Sequence, residues 1–174
     1  MLTEIARAMW GIVINKILLP RGWTAAAFLL NHSLQDNPSN LHFDENHFIT
    51  QKIRASTEYR TKVEELVRKQ SIGYKGYVSS SSIAFLSGDL FAAIHYAEFA
   101  YYGWICKKSN VSYSMDLKIT ISDDYDFHFL AGGYYRLNYN SIMVTIANNM
   151  AWSDQFFEVV NKYSWKSSFS ETRR

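Results

Sequence analysis

Between Val111 and Ser122 the chain alternates without interruption: Tyr113, Met115, Leu117, Ile119 and Ile121 against Ser114, Asp116, Lys118, Thr120 and Ser122. A side-chain period of two, apolar on one side and polar on the other, belongs to a strand with one face buried and one face wet. Directly after it comes the strongest polar cluster of the chain, Asp123-Asp124-Tyr125-Asp126-Phe127-His128. A chain of 174 residues is long enough to bury a core around such a strand.

The first half reads as helical. In Leu2 to Leu19, the residues Ile5, Met9, Ile12, Val13 and Ile17 recur at three- and four-residue spacing. Pro20 ends that helix, because proline lacks an amide proton and disfavours helix in the residue before it. A second helix is predicted from about Arg21 to Gln35. Its centre, Ala25 to Leu30, is apolar nearly all round, as in helices buried on both sides. Gln35 to Asn40 is a turn by composition. Asp44 is placed to cap a third helix reaching about Lys69, with Ile49, Ile53, Ser56, Val63 and Val67 on one face.

Gly73 and Gly76 then break the pattern, and Tyr77 to Phe85 reads as a strand. Gly88 to Tyr102 is predicted helical, with Leu90, Ile94, Ala97 and Tyr101 as its core stripe. Beyond Gly132-Gly133, Ser141 to Tyr163 is predicted helical with a break at Asn148-Asn149. Ser164 to Phe169 is predicted as a closing strand. No internal repeat and no linker divides the sequence. The expected architecture is α+β, one compact domain over residues 1–174. Helices dominate its first half, and a small, mainly antiparallel sheet lies in its second.

Composition excludes several classes. A content of 16% aromatic residues and a formal net charge of +2 do not fit a disordered chain. The densest basic clusters, Lys107-Lys108 and Arg173-Arg174, read as a loop and a tail, so no nucleic-acid partner is expected. Cys106 stands alone, which excludes a disulfide framework; it permits the cytosol and does not forbid the periplasm. Met1 to Pro20 carries Glu4, lacks a basic leader and is followed by no small-residue cleavage site, so no secretory signal is read there. The most apolar run, Ile83 to Cys106, is interrupted by Asp89, His95 and Glu98 and reads as buried interior.

Phosphate loops, zinc signatures and the nucleophile elbow are absent from the sequence. The acidic cluster after the alternating strand is therefore the first candidate site. Crowded carboxylates raise one another's pKa or gather a hard cation. In extended geometry Asp124, Asp126 and His128 share one face, with Asp123, Tyr125 and Phe127 on the other. The competing reading is a polar turn, where Asp is common because its side chain bonds local amides. A second candidate is the predicted helix bearing His95. At helical spacing His95, Glu98 and Tyr102 share a face, and Glu98 is placed to orient the imidazole. A third is His32, Asp36, His42 and His47, with His32 and Asp36 one helical turn apart. Cys106 beside Lys107 is a weaker candidate, the lysine being able to lower the thiol pKa. Its alternative is a partly buried structural cysteine.

The run Asp123-Asp124-Tyr125-Asp126-Phe127 resembles the Asp-x-Tyr-Asp box of colicin M-like bacteriocins. The matching positions are Asp123, Tyr125 and Asp126. The family has a His-Arg pair a few residues on, whereas here His128 comes earlier and Arg136 follows alone. The resemblance implies a hydrolase acting on the lipid-linked peptidoglycan precursor, with a divalent cation held by Asp123 and Asp126. More broadly, the chain resembles toxin modules at the C-terminal ends of bacterial secreted effectors of type VI and Rhs-like systems. The stretches that carry this are Gly22-Trp23-Thr24-Ala25-Ala26 running to His32-Ser33-Leu34-Gln35, then Gly88-Asp89-Leu90, Asp124-Tyr125-Asp126-Phe127 and Asn148-Asn149-Met150-Ala151. That resemblance implies a carrier or secretion protein in place of a signal peptide, and a cognate immunity protein.

Three functional expectations follow. The first is an antibacterial effector with Asp123, Tyr125, Asp126 and His128 as its core, joined by His95 and Glu98. The second is a membrane-inserting toxin built on Leu2 to Leu19, Arg21 to Leu34 and Ile83 to Cys106. The third is a non-enzymatic immunity or adaptor module, which the aromatic richness favours because Tyr and Trp are enriched at interfaces. Delivery through a carrier places the first two outside the producing cell; otherwise the chain is cytoplasmic.

Overall fold

The computed structural model of the protein describes residues 2–125 and 159–174. The architecture is α+β, with N-terminal helices and a five-stranded sheet. The chain divides into two compact units. Among the described residues, one unit contains 2–39, 125 and 159–163, and the other contains 40–124 and 164–174.

The first unit opens with α1 (Leu2–Val13), which passes into a wider turn over Ile14–Leu18 and a tight turn over Leu19–Arg21. Ala6, Trp10, Val13, Ile14, Ile17 and Leu18 are buried, while Ile5, Ile12 and Leu19 face outward. α1 ends at Val13, before the expected stop at Pro20; Pro20 lies inside the tight turn, and the helical run ends at Gly22, whose left-handed φ of 72° lets its amide donate to the Leu19 carbonyl at 2.9 Å. α2 (Thr24–Ser33) buries Ala25, Ala26, Ala27, Leu29 and Leu30, the nearly all-round burial that its sequence predicts. Its C-terminal carbonyls are capped by Asn161: the backbone amide bonds Ser33 at 2.8 Å and Nδ2 bonds Gln35 at 2.8 Å. Residues 159–162 are not helical, so the helix predicted from Ser141 to Tyr163 does not extend over its last residues; the rest of that prediction lies outside the described residues.

The second unit is built on the sheet, whose strands are β1 (Leu41–Phe43), β2 (Gly73–Ala84), β3 (Tyr96–Lys107), β4 (Tyr113–Tyr125) and β5 (Tyr163–Arg173), in the order β1-β5-β4-β3-β2. β1 runs parallel to β5, whereas β2 and β4 both run antiparallel to β3. β4 carries the predicted alternation: Met115, Leu117, Ile119 and Ile121 are buried, and Asp116 and Lys118 are exposed. In β5, Tyr163, Trp165, Ser167 and Phe169 are buried. Ser167 is tolerated in the core because it shares a 2.6 Å hydrogen bond with the equally buried Thr50.

The single helix predicted from Asp44 to Lys69 is two, α3 (Phe48–Ala55) and α4 (Thr57–Arg68). Ser56 divides them. Its backbone is extended, and its hydroxyl donates to the Ile53 carbonyl at 2.7 Å while accepting from the Tyr59 amide at 3.1 Å. One serine thus closes one helix and caps the next. Asp44 makes a local turn, accepting from Asn46 and His47 amides, and the capping residue of α3 is His47. Ile49, Ile53, Tyr59, Val63 and Val67 are buried. Tyr59 contacts Phe99 and Phe169, with centroids 6.4 and 5.7 Å away, so α4 lies on the inner face of the sheet. Buried Glu171 on β5 accepts from the Tyr59 hydroxyl at 2.9 Å and pairs with Arg54 at 3.4 Å.

The helix predicted from Gly88 to Tyr102 is corrected. Only Gly88–Ala93 is helical (α5), and Tyr96–Lys107 is a strand. His95 takes a left-handed φ of 58°, and its carbonyl accepts the Phe85 amide at 2.8 Å, which turns the chain back beside β2. The segment is rich in aromatic residues, which suit a pleated surface, and its burial alternates through Ala97, Phe99, Tyr101 and Ile105. Among the described residues, no helix is long and apolar enough to cross a membrane.

Candidate functional site

The acidic cluster begins on regular strand. β4 continues past Ser122 through Asp123, Asp124 and Tyr125. The period of two continues with it, so Asp124 is exposed on the outer face while Asp123 is half-buried on the side of Ile121 and Tyr125. Asp124 accepts a hydrogen bond from the Ser164 hydroxyl at 2.7 Å, at the start of β5. Thr120 and Ser168 share another hydrogen bond at 3.2 Å. As β4 advances from 120 to 124, β5 retreats from 168 to 164, which makes this pair antiparallel.

Tyr125 is buried and stacks on Tyr163, with centroids 5.0 Å apart and planes inclined by 20°. Burial holds its phenol well above the ordinary tyrosine range, and the neighbouring Tyr163 adds to the effect. Tyr163 is likewise pushed up by burial. Its hydroxyl donates to the Leu29 carbonyl at 2.8 Å, and its ring meets His32 edge-on at 4.7 Å. Neither phenol is set to exchange a proton near neutral pH. Tyr125 packs at the end of the strand, with Asp123 and Asp124 just before it on β4. Asp126 and His128 lie outside the described residues.

The second candidate is rearranged. His95 and Glu98 do not share a helix face, because His95 sits at the corner before β3 and Glu98 lies on β3 itself. The His95 ring meets Phe91 and Tyr96, each with centroids at 4.9 Å. Glu98 is exposed and stands opposite Ser122 on β4 and Ser82 on β2. Asp124 is two residues beyond Ser122 on the same outer face, so Glu98 and Asp124 are diagonal neighbours, roughly 7–8 Å apart in such a ladder. The sheet therefore brings Glu98 toward the acidic cluster by strand pairing rather than by helical spacing.

The third candidate does not gather. Asp36 is paired with Arg7, whose guanidinium bond holds its carboxyl below the usual range. His32 bonds the Ser39 carbonyl through Nε2 at 2.8 Å. In the other unit, His42 is exposed on β1, and His47 accepts the Ile49 amide through Nδ1 at 3.3 Å while stacking on Phe43 at 4.3 Å. Burial pushes the His47 pKa down, against the opposing pull of Asp44, which suits a neutral acceptor ring. Among the described residues, no three His, Cys, Asp or Glu side chains converge to hold a metal ion. The lysine beside Cys106 is also engaged elsewhere: Lys107 is buried and its ammonium donates to the Arg68 and Gln70 carbonyls at 3.3 and 3.1 Å. It caps α4, and Cys106 lies on the opposite side of the pleat.

Ser164 and Tyr163 are the neighbours of the cluster that sequence reasoning missed. Some 40 residues separate Ser164 from Asp124, and only the strand pairing joins them. The available signal was the alternation of Tyr163, Trp165 and Phe169, which marks Tyr163 as part of the strand and turned inward.

No family model and no curated protein matches the chain. Among solved structures it is similar to the truncated bacteriocin syringacin M from Pseudomonas syringae pv. tomato DC3000, with a TM-score of 0.48 and 13% identity over 86% of this chain and 58% of that one. It is also similar to PaeM, a colicin M-like bacteriocin produced by Pseudomonas aeruginosa, with a TM-score of 0.48 and 14% identity over 86% of this chain and 51% of that one. The chain thus matches just over half the length of each.

Proposed function

We propose that the chain is an antibacterial toxin domain that hydrolyses a phosphate ester of a lipid-linked cell-envelope precursor. The observation that carries this reading is that Asp123, Asp124 and Tyr125 stand on strand β4. An aspartate in a turn is explained by its bonds to local amides. Asp123 and Asp124 lie on β4 rather than in a turn, and Asp124 accepts from the Ser164 hydroxyl of another strand rather than from a local amide.

Tyr125 is the anchor, and Asp124, bonded to Ser164 at the variable position of the Asp-x-Tyr-Asp box, is dispensable. Asp123 and Asp126 supply hard carboxylate oxygens, a donor set that fits Mg²⁺ or a similar divalent cation. When bound, such a cation polarises a phosphoryl oxygen. His128 gives or takes the proton at the leaving or attacking oxygen. Glu98, exposed opposite Ser122, adds a further carboxylate to the same end of the sheet. In this reading a carrier delivers the chain, and an immunity protein protects its producer.

Expression in a bacterial host with an added export signal is expected to arrest growth and lyse cells. The purified chain is expected to leave dye-loaded liposomes sealed, since hydrolysis needs no pore. Unimpaired growth with exported, folded protein would contradict the toxin reading, and dye release would assign the killing to membrane insertion.

A further inference from the structure

The end strand of the sheet, β2, is 12 residues long and among the described residues pairs only with β3. At about 3.4 Å per residue its outer edge presents roughly 40 Å of backbone donors and acceptors. Among the described residues no strand lies beyond it. Edges of this length are normally blunted by charge, by proline or by a covering segment, because they invite pairing. β2 has no proline and a single charge, Lys75. From Gly73 to Ser82 every residue is exposed except Tyr77, which is half-buried.

An apolar ribbon runs along the same edge. Val78 is 89% exposed and stands opposite Tyr102, itself 52% exposed. Tyr74 is 66% exposed and stacks on Trp104 at 5.5 Å. Both rows lie on the outer face, where large exposed apolar groups in a patch mark a contact surface.

β2 can pair with a second copy of itself about Val78 without bringing like charges together. In an antiparallel register centred there, Gly73 faces Ile83, Tyr74 faces Ser82, Lys75 faces Ser81, Gly76 faces Ser80 and Tyr77 faces Ser79 of the other copy. Nearly the whole strand is used, and no like charges meet. Val78 meets its own counterpart on the two-fold axis, which covers the most exposed apolar side chain of the strand. We propose that β2 is a homodimerisation edge, through which two copies of this chain join their sheets antiparallel about Val78. The two-fold arrangement is the commonest closed symmetry, and it caps both open edges at once.

Sedimentation equilibrium of the 174-residue chain over micromolar to sub-millimolar concentration is expected to show a monomer–dimer equilibrium. Val78→Lys opposes two ammonium groups on the axis and is expected to weaken the dimer by roughly tenfold or more. The melting curve of its monomer should be unchanged, because Val78 makes little contact within one copy. Val78→Cys in a Cys106→Ser background is expected to form an intermolecular disulfide on mild oxidation, since opposed Cα atoms lie about 4.5 or 5.5 Å apart. A monomer at every concentration overturns the proposal. So does a dimer that Val78→Lys leaves unchanged, or one that the cysteine variant does not link.

Discussion

Asp126→Ala, tested as an exported protein in a bacterial host, is expected to lose killing by on the order of 100-fold or more, the scale on which an acid–base or cation-holding group contributes. Asp123→Ala should fall with it. Asp124→Ala should keep killing, because Asp124 is exposed and bonded to Ser164, and losing that surface bond costs about 1 kcal/mol or less. The contrast within three neighbouring aspartates matters more than any single loss. A general effect of removing negative charge would weaken all three variants alike, and a failure to fold would show in circular dichroism and in the melting curve. Killing that survives Asp126→Ala with a native spectrum would remove this cluster from the mechanism.

Gly103→Ala is expected to be the most damaging single methyl in the sheet. Gly103 has φ +140°, a conformation that L residues rarely adopt, and it faces Leu117 across the β3–β4 ladder. A Cβ there runs into the backbone carbonyl of Asp116, and a backbone atom cannot swing aside as a side chain can. Strain of this kind costs about 1–3 kcal/mol, and displacement of the ladder adds to it. A loss of roughly 3–5 kcal/mol is expected from urea unfolding, at the upper end for point changes. Gly76→Ala is the control. Its φ is ordinary, and its Cβ would meet only the Gly103 carbonyl at 3.8 Å. That variant should stay within about 0.5 kcal/mol of the parent. Equal effects at the two positions would contradict the register of β3 against β4.

What the sequence disclosed tracks the physics of each segment. β4 was legible because its two faces differ in chemistry at every position from Tyr113 to Ser122. α1 was legible for the same reason, a clear period, although the helical run carries past Pro20 and ends at Gly22. The split at Ser56 was not, since Ser56 fits the helical face by spacing, and only its extended backbone shows that it caps α4. β3 was misread because Leu90, Ile94, Ala97 and Tyr101 also satisfy a helical period. What decided between the two was pairing with β2 and β4, together with the left-handed turn at His95, and neither is encoded locally. The candidate site divides in the same way. The acids were visible as a cluster, but the place of Asp123 and Asp124 on strand rather than turn, the burial of Tyr125 against Tyr163 and the approach of Glu98 to Asp124 all come from pairing with strands distant in sequence.

The central claim is that carboxylates at the end of β4 hold a cation for phosphate-ester hydrolysis. The most direct measurement incubates the purified chain with the lipid-linked peptidoglycan precursor and Mg²⁺, and separates the products by mass. A phosphate-bearing sugar–peptide fragment is expected, absent with a chelator and absent with Asp123→Ala or Asp126→Ala. Intact precursor after prolonged incubation with the folded parent chain and Mg²⁺, or cleavage unaffected by both substitutions, would contradict it.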